Sequence, residues 1–236
     1  MGIELWEARL AAPFGPAPLL MRDKAAGERA PGCAVSALTG ASAPLPQSAS
    51  WAELESEANR CQRCALYQTR TNVVFGVGDR AARWMFIGEA PGEQEDLQGE
   101  PFVGRAGQLL TEMIRAIGLE RDAVYIANVL KCRPPKNRDP SAEEAAACES
   151  YLLGQVALVK PSIIVAVGRI AAQHLLKTQT PIGKLRGTVH DYQSIPLVVT
   201  YHPAYLLRSQ TEKRRAWEDL KLARRALAAP GSPMKA

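Results

Sequence analysis

Trp84-Met85-Phe86-Ile87-Gly88-Glu89-Ala90-Pro91-Gly92-Glu93-Gln94-Glu95-Asp96 passes from an unbroken apolar run into a loop of glycine, proline and carboxylates. A run that is apolar at every position, instead of alternating, suits a strand covered on both faces. Three further runs of this kind follow at residues 124–130, 163–167 and 197–201. Helical patterns follow each strand in turn, at 107–117, 141–159, 169–177 and 211–228. Ser50-Trp51-Ala52-Glu53 and Ser141-Ala142-Glu143-Glu144 carry the spacing of capping boxes and mark two helix starts. Strand–helix alternation predicts an α/β fold with a parallel sheet covered on both faces. Right-handed crossovers then bring the carboxyl ends of the strands to one edge, where ligands of such sheets bind.

Each predicted strand feeds polar or aromatic groups to that edge. The first leads into Gly88, Glu89 and Ala90, then Glu95 and, after a second glycine-rich stretch, Phe102. The second carries Asn128 near its end, where an unpaired amide in an apolar strand is costly. The third ends in Gly168-Arg169, and the fourth in His202-Pro203-Ala204-Tyr205-Leu206-Leu207-Arg208. The glycine loop lacks the Gly-Lys-Ser/Thr ending of a P-loop. A carboxamide presents a donor beside an acceptor, as a pyrimidine edge requires, and an aromatic face suits stacking on the ring. An imidazole facing a carbonyl stabilises negative charge as it develops there. Together these groups describe a pocket for an extruded base whose glycosidic bond is to be broken.

The bulk numbers set the frame. The chain has 236 residues, 47% apolar and 22% charged, in the range of a globular protein. Its net charge of +5 is compatible with a polyanionic partner without requiring one. No apolar run is long enough to span a bilayer, and the N-terminus does not read as a secretory signal, so a cytoplasmic protein is expected. Residues 1–50 are rich in Ala, Pro, Gly and Ser and are expected to form a flexible extension, with Cys33 a spare thiol. A catalytic domain is expected over 51–228 and a disordered tail over 229–236. The extension is a candidate for contact with a replication or repair protein.

Cys61 and Cys64 form a Cys-x2-Cys pair, and Cys132 and Cys148 follow with fifteen residues between them. In a chain without secretory features, such cysteines argue for a metal centre over disulfides. Spacing alone suits zinc and iron–sulfur equally. The centre would adjoin the basic segment Lys131-Cys132-Arg133-Pro134-Pro135-Lys136-Asn137-Arg138, in which Arg133, Lys136 and Arg138 are candidate phosphate contacts.

At these residues the chain resembles the family 4, iron–sulfur uracil-DNA glycosylases. The resemblance covers about residues 51–225. It is carried by Cys-x2-Cys, the Gly88-Glu89-Ala90-Pro91-Gly92 motif, Pro101-Phe102-Val103-Gly104-Arg105-Ala106-Gly107, Asn128 with the segment that follows it, Cys148, and the His202-Pro203-Ala204-Tyr205 motif. It implies a three-layer α/β/α fold around a central four-stranded parallel sheet. It implies removal of uracil from single- or double-stranded DNA by a monomer, leaving an abasic site. Gly88, Glu89 and Ala90 would lie beside the base, Phe102 would stack on it, Asn128 would read its N3/O4 edge, and His202 would donate to O2. Tyr205, Leu206 and Arg208 would brace or fill the gap left by the extruded nucleotide. Cys61, Cys64, Cys132 and Cys148 would hold a structural [4Fe–4S] cluster.

The best-known glycosylases of the superfamily carry an Asp where this chain has Ala90. The water-activating carboxylate is therefore assigned first to Glu95, then to Glu89, then to Asp96. Three rivals remain. One is a relative that traps the abasic site covalently; it requires a His in the basic loop, and residues 131–141 contain none. The second is a damage-binding module of the same fold without catalysis. The third is a zinc-bound DNA protein of unrelated chemistry.

Overall fold

The structure, a computed structural model, describes residues 50–228. The expected extension over 1–50, apart from Ser50, and the tail over 229–236 lie outside the described residues.

Six strands form one sheet: β1 (Val77–Gly78), β2 (Trp84–Gly88), β3 (Tyr125–Asn128), β4 (Ile163–Val167), β5 (Val189–Tyr192) and β6 (Ile195–Thr200). Their spatial order is β1-β3-β2-β4-β6-β5. The inner four, β3-β2-β4-β6, are mutually parallel, as the apolar runs predicted. The two edge strands are antiparallel and were not anticipated. β1 has two residues, too few to leave a pattern. β5 is a half-exposed strand turned back by Gln193 and Ser194, both at positive φ (53° and 65°). That is hairpin geometry without the Asn-Gly or Asp-Gly that usually announces it.

The helices are α1 (Trp51–Asn59), α2 (Glu93–Gln98), α3 (Arg105–Ala116), α4 (Ala142–Val159), α5 (Arg169–Leu175), α6 (Ile182–Leu185), α7 (Pro203–Arg208) and α8 (Lys213–Ala228). Both predicted capping boxes form, on Ser50 with Glu53 and on Ser141 with Glu144. Side chains alternate across the sheet and give it two cores. Met85, Ile87, Ala127, Ile164 and Val199 pack with α1, α4 and α5 on one face. Trp84, Phe86, Ile126, Val165 and Val198 pack with α3, α7 and α8 on the other. This is the three-layer arrangement, and it explains the unbroken apolar runs, since both faces of each inner strand exclude water.

The chain leaves β2 through α3 on one face to reach β3, and leaves β3 through α4 on the other face to reach β4. Because β3 and β4 flank β2 on opposite sides, the connections diverge above β2 and open a crevice at its carboxyl end. Pairing of β2 with the chain after β3 continues past Asn128, with Val129 N donating to Gly88 O (2.9 Å) and Leu130 N to Glu89 O (3.0 Å). The rigid ladder therefore reaches into the crevice. Among the described residues no helix is long and apolar enough to cross a membrane.

Candidate active site

The crevice is a cleft of ≈ 870 Å³. Glu89, Ala90, Glu95, Phe102, Asn128, Arg169, His202, Tyr205 and Arg208 all line it, so groups at the carboxyl ends of all four inner strands meet in one cavity.

Its floor depends on Gly88, where β2 ends. A Cβ there would lie 2.4 Å from Asn128 Oδ1 and 2.5 Å from Phe102 Cζ, so only glycine lets the carboxamide and the ring close over the strand. Asn128 is 2% exposed, and its Oδ1 is buried with no hydrogen-bond partner among the described residues. An orphaned acceptor of this kind costs about 1–3 kcal/mol unless something donates to it. Phe102 is buried with φ at 56°, in the left-handed region that a bulky residue rarely enters. Strain of that sort persists where surrounding bonds over-determine the backbone.

Those bonds come from Glu95 and Arg121. Glu95 Oε1 accepts the backbone N–H groups of Val103 and Gly104, both at 2.9 Å, and Oε2 accepts that of Gly92 at 3.1 Å. Arg121 Nη2 donates to Pro101 O at 2.7 Å. The Phe102 loop is thus clamped on both sides. Asp96 is buried elsewhere, accepting from Thr71 N at 2.9 and 3.1 Å, and does not line the cleft.

His202 is the N-cap of α7, and its Nδ1 accepts the N–H of Ala204 at 3.1 Å. An Nδ1 that accepts carries no proton, so neutral His202 bears its proton on Nε2. Burial, and secondarily the Arg208 guanidinium, push its pKa down to about 4 against the opposing pull of Glu95. The ring lies 5.7 Å from that of Phe102, centroid to centroid. Gly168 (φ 101°) leaves room for it: a Cβ there would sit 2.9 Å from His202 Cβ. Glu89 is half-buried. Desolvation, then the Asp139 carboxylate, raise its pKa to about 7, with Arg169 opposing. A carboxylate poised there is suited to general-base work at neutral pH.

The rim is mixed. Arg208 and Tyr205 face the cleft and are exposed. Leu206, expected to fill the gap in DNA, is instead 1% exposed and packs into the core formed with α3 and α8. Successive residues of a helix point in directions about 100° apart, and α7 turns Tyr205 outward and Leu206 inward. Arg133 pairs with Glu93 (3.7 Å) and donates to Asn137 Oδ1 (2.8 Å), and Arg138 is bidentate on Glu144 (2.8 and 2.5 Å). Of the three predicted phosphate contacts, only Lys136 is exposed with no charge partner among the described residues. Arg105, at the start of α3, and Arg169, paired with Asp139 at 2.7 Å, also line the cleft. Sequence reading brings Arg169 to this edge, at the end of the third strand, but misses Arg105. Arg105 lies within a motif already singled out, but nothing local marks its side chain as facing a ligand.

On the other side of β3, Cys61, Cys64, Cys132 and Cys148 line one small shared cavity, and none is in a disulfide. Arg70 Nη1 donates to Cys132 Sγ (3.2 Å) and Lys131 N to Cys148 Sγ (3.4 Å). Burial raises the Cys148 thiol to about 11, so nothing but a bonded metal or a close cation would keep it ionised. Among the described residues no group of three or more His, Cys, Asp or Glu is placed to hold a metal ion.

A doubly wound sheet with a neutral imidazole, an orphaned carboxamide and a strained aromatic in one cleft marks an α/β protein with a site suited to a planar polar ring. Comparison with known proteins narrows the class. The model of the Uracil DNA glycosylase superfamily matches residues 75–221. A Type-4 uracil-DNA glycosylase of Archaeoglobus fulgidus is 47% identical over 163 residues, 66% of this chain and 82% of the relative. One from Thermotoga maritima is 46% identical over 177 residues, 73% of this chain and 92% of the relative. A Type-5 uracil-DNA glycosylase of Pyrobaculum aerophilum is 34% identical over 146 residues, 55% and 64% of the two chains. The chain belongs to the uracil-DNA glycosylase superfamily, and within it to the Type-4 family.

Proposed function

We propose that this protein is a DNA repair enzyme that hydrolyses the N-glycosidic bond of deoxyuridine, in single- or double-stranded DNA, and leaves an abasic site. The observation that carries the reading is Asn128 Oδ1, a buried acceptor without a partner, in the same cleft as Phe102 and His202. Uracil N3–H is a donor of the right kind for it, whereas cytosine presents an unprotonated N3 there.

In this reading the extruded uracil stacks on Phe102 and is read by Asn128. His202 Nε2–H donates to O2, and the bond strengthens as the departing ring becomes an anion. A neutral imidazole suffices, which agrees with its depressed pKa. The sugar develops oxocarbenium character, and Glu89 takes a proton from the water that attacks C1′. Glu89 is preferred over Glu95, reversing the order expected from sequence, because the oxygens of Glu95 are already engaged by three backbone N–H groups. Glu95 instead serves as a positioning residue for Phe102. Arg208, Arg105 and Lys136 supply charge for flanking phosphates, and Tyr205 takes over at the gap from the buried Leu206.

The four cysteines suit a [4Fe–4S] centre by donor chemistry, each thiolate taking a different iron, and not a single ion, for which no group of three is placed among the described residues: the donors are all sulfur, they line one cavity, and two N–H groups point at the sulfurs. Such a cluster, held by Cys61, Cys64, Cys132 and Cys148, would tie the segment after α1 to the loop after β3 and to α4. The deciding experiment is uracil release from a single-stranded oligonucleotide by wild type, Glu89→Ala and Glu95→Ala. Release by wild type and its near-complete loss in Glu89→Ala support the reading. No release by the iron-loaded wild type refutes catalysis and leaves the binding-module alternative.

A further inference from the structure

The four-cysteine cavity and the carboxamide that faces the cleft are joined by one side chain. Lys131 is 2% exposed, three residues after Asn128 and next to Cys132. Its ammonium donates to Asn128 O at 2.7 Å and to Gln155 Oε1 at 2.6 Å. Gln155, itself fully buried on α4, is fixed by donating to Phe75 O (2.8 Å) and Tyr125 OH (3.2 Å). The backbone N–H of Lys131 donates to Cys148 Sγ, and the residue lines the cysteine cavity.

Three features make this more than packing. A buried ammonium needs a balancing charge, and both of its side-chain partners are neutral oxygens. The electron-rich sulfurs beside it are the groups able to balance it. Its hydrogen bond falls on the carbonyl of the very residue whose side chain carries the orphaned acceptor. Asn128 is also the last residue of β3, where the β2 ladder holds the Asn128–Val129 peptide through its N–H, on Gly88 O, and the lysine holds it through its C=O.

We propose that Lys131 is a positioning residue that ties Asn128 to the four-cysteine centre, so that a filled centre sets the carboxamide at the angle that reads the base. This rests on the iron–sulfur reading given above. Replacing the ammonium by an apolar chain of similar length removes its bond to Asn128 O while leaving all four cysteines and the Val129 N–Gly88 O bond in place.

The test uses full-length wild type, Lys131→Met, Lys131→Gln, Asn128→Ala and the double variant K131M/N128A. Iron content is measured, together with affinity for a single-stranded oligonucleotide carrying an uncleavable 2′-fluoro-deoxyuridine and for the same strand carrying thymidine. The expected result is that K131M keeps its iron and its affinity for the thymidine strand, while its preference for the uracil analogue falls about fivefold or more. K131Q, which retains a donor, recovers part of that preference. Adding K131M to N128A lowers the preference no further, as befits residues acting through one path. Resonance Raman bands of the iron–thiolate stretches shift on binding the analogue in wild type and stay fixed in K131M.

Wild-type preference in iron-loaded K131M, or full additivity in the double variant, overturns the proposal. Unmoved iron–thiolate bands in wild type overturn the link to the centre. Should K131M fail to fold, the same measurements on K131Q decide: an undiminished preference overturns, a reduced one supports. Wild type that purifies with zinc, or with no metal, overturns the iron–sulfur reading separately, because the K131M/N128A cycle still reports on the lysine–asparagine tie.

Discussion

His202 Nδ1 accepts the backbone N–H of Ala204 at 3.1 Å, and this one bond decides which face of the imidazole can act as a donor. With Nδ1 occupied, Nε2 carries the proton, and the ring is neutral at working pH because its pKa is pushed down to about 4. His202→Ala is expected to slow the chemical step about a hundredfold or more, about 3 kcal/mol for one lost transition-state donor. Single-turnover uracil release measures it. Full activity of the variant would remove His202 from the mechanism, and nitrogen-15 shifts showing a proton on Nδ1 would refute the tautomer.

Glu89 should govern the pH profile. Its folded-state pKa of about 7 means that the active carboxylate fills in between about pH 6 and 8, so the rate should rise across that window and level off above it. Glu89→Gln should remove the limb. Asp139→Asn, which deletes a repelling carboxylate, should move the limb to lower pH. An unshifted limb in Asp139→Asn would show that the two carboxylates do not interact.

The same shift has a stability consequence. Between about pH 4.5 and 7 the folded state holds a proton on Glu89 that the unfolded chain has lost, so this residue's contribution to stability falls as pH rises through the window. Glu89→Gln should therefore stabilise the protein at pH 8, on the order of 1–2 kcal/mol once screening at a partly exposed site is allowed for. Thermal melts at pH 5 and pH 8 compare the two; equal shifts at both pH values would contradict the assignment.

Glu95→Ala and Glu95→Gln should separate positioning from proton transfer. The amide oxygen of Gln can still accept from Val103 and Gly104, so Glu95→Gln should keep most activity while Glu95→Ala loses at least tenfold through a loosened Phe102. Equal loss in both would restore Glu95 as the base.

Gly88→Ala should damage the pocket more than the fold. Its added Cβ would meet Asn128 Oδ1 and Phe102 Cζ at 2.4 and 2.5 Å, displacing the ring and the carboxamide together. Loss of stacking alone is worth about 1–3 kcal/mol per base, so uracil release should fall at least tenfold. Retention of wild-type activity would mean that Phe102 need not sit where the structure places it.

Much of this could be read from the chain. The inner strands 84–88 and 163–167 emerge with the predicted boundaries, because a strand buried on both faces must be apolar throughout. Asn128 stood out because an amide in such a run is conspicuous. The edge strands escaped notice: one is two residues long and the other turns on Gln193-Ser194 without a glycine. Arg121 gave no local signal at all. It reaches Pro101 from twenty residues away, and contacts at such range leave no periodicity.

The order of residues along this chain determined the layers, the carboxyl edge at which the site opens, and the four loops that supply it, because periodic burial and right-handed crossovers are local rules. Only the tertiary structure decided which way each side chain faces and what it touches there: Leu206 inward, Arg138 locked to Glu144, Glu95 spent on three backbone N–H groups, Glu89 left poised. Those outcomes depend on desolvation and on hydrogen bonds between distant segments, and such energies exist only once the segments have met.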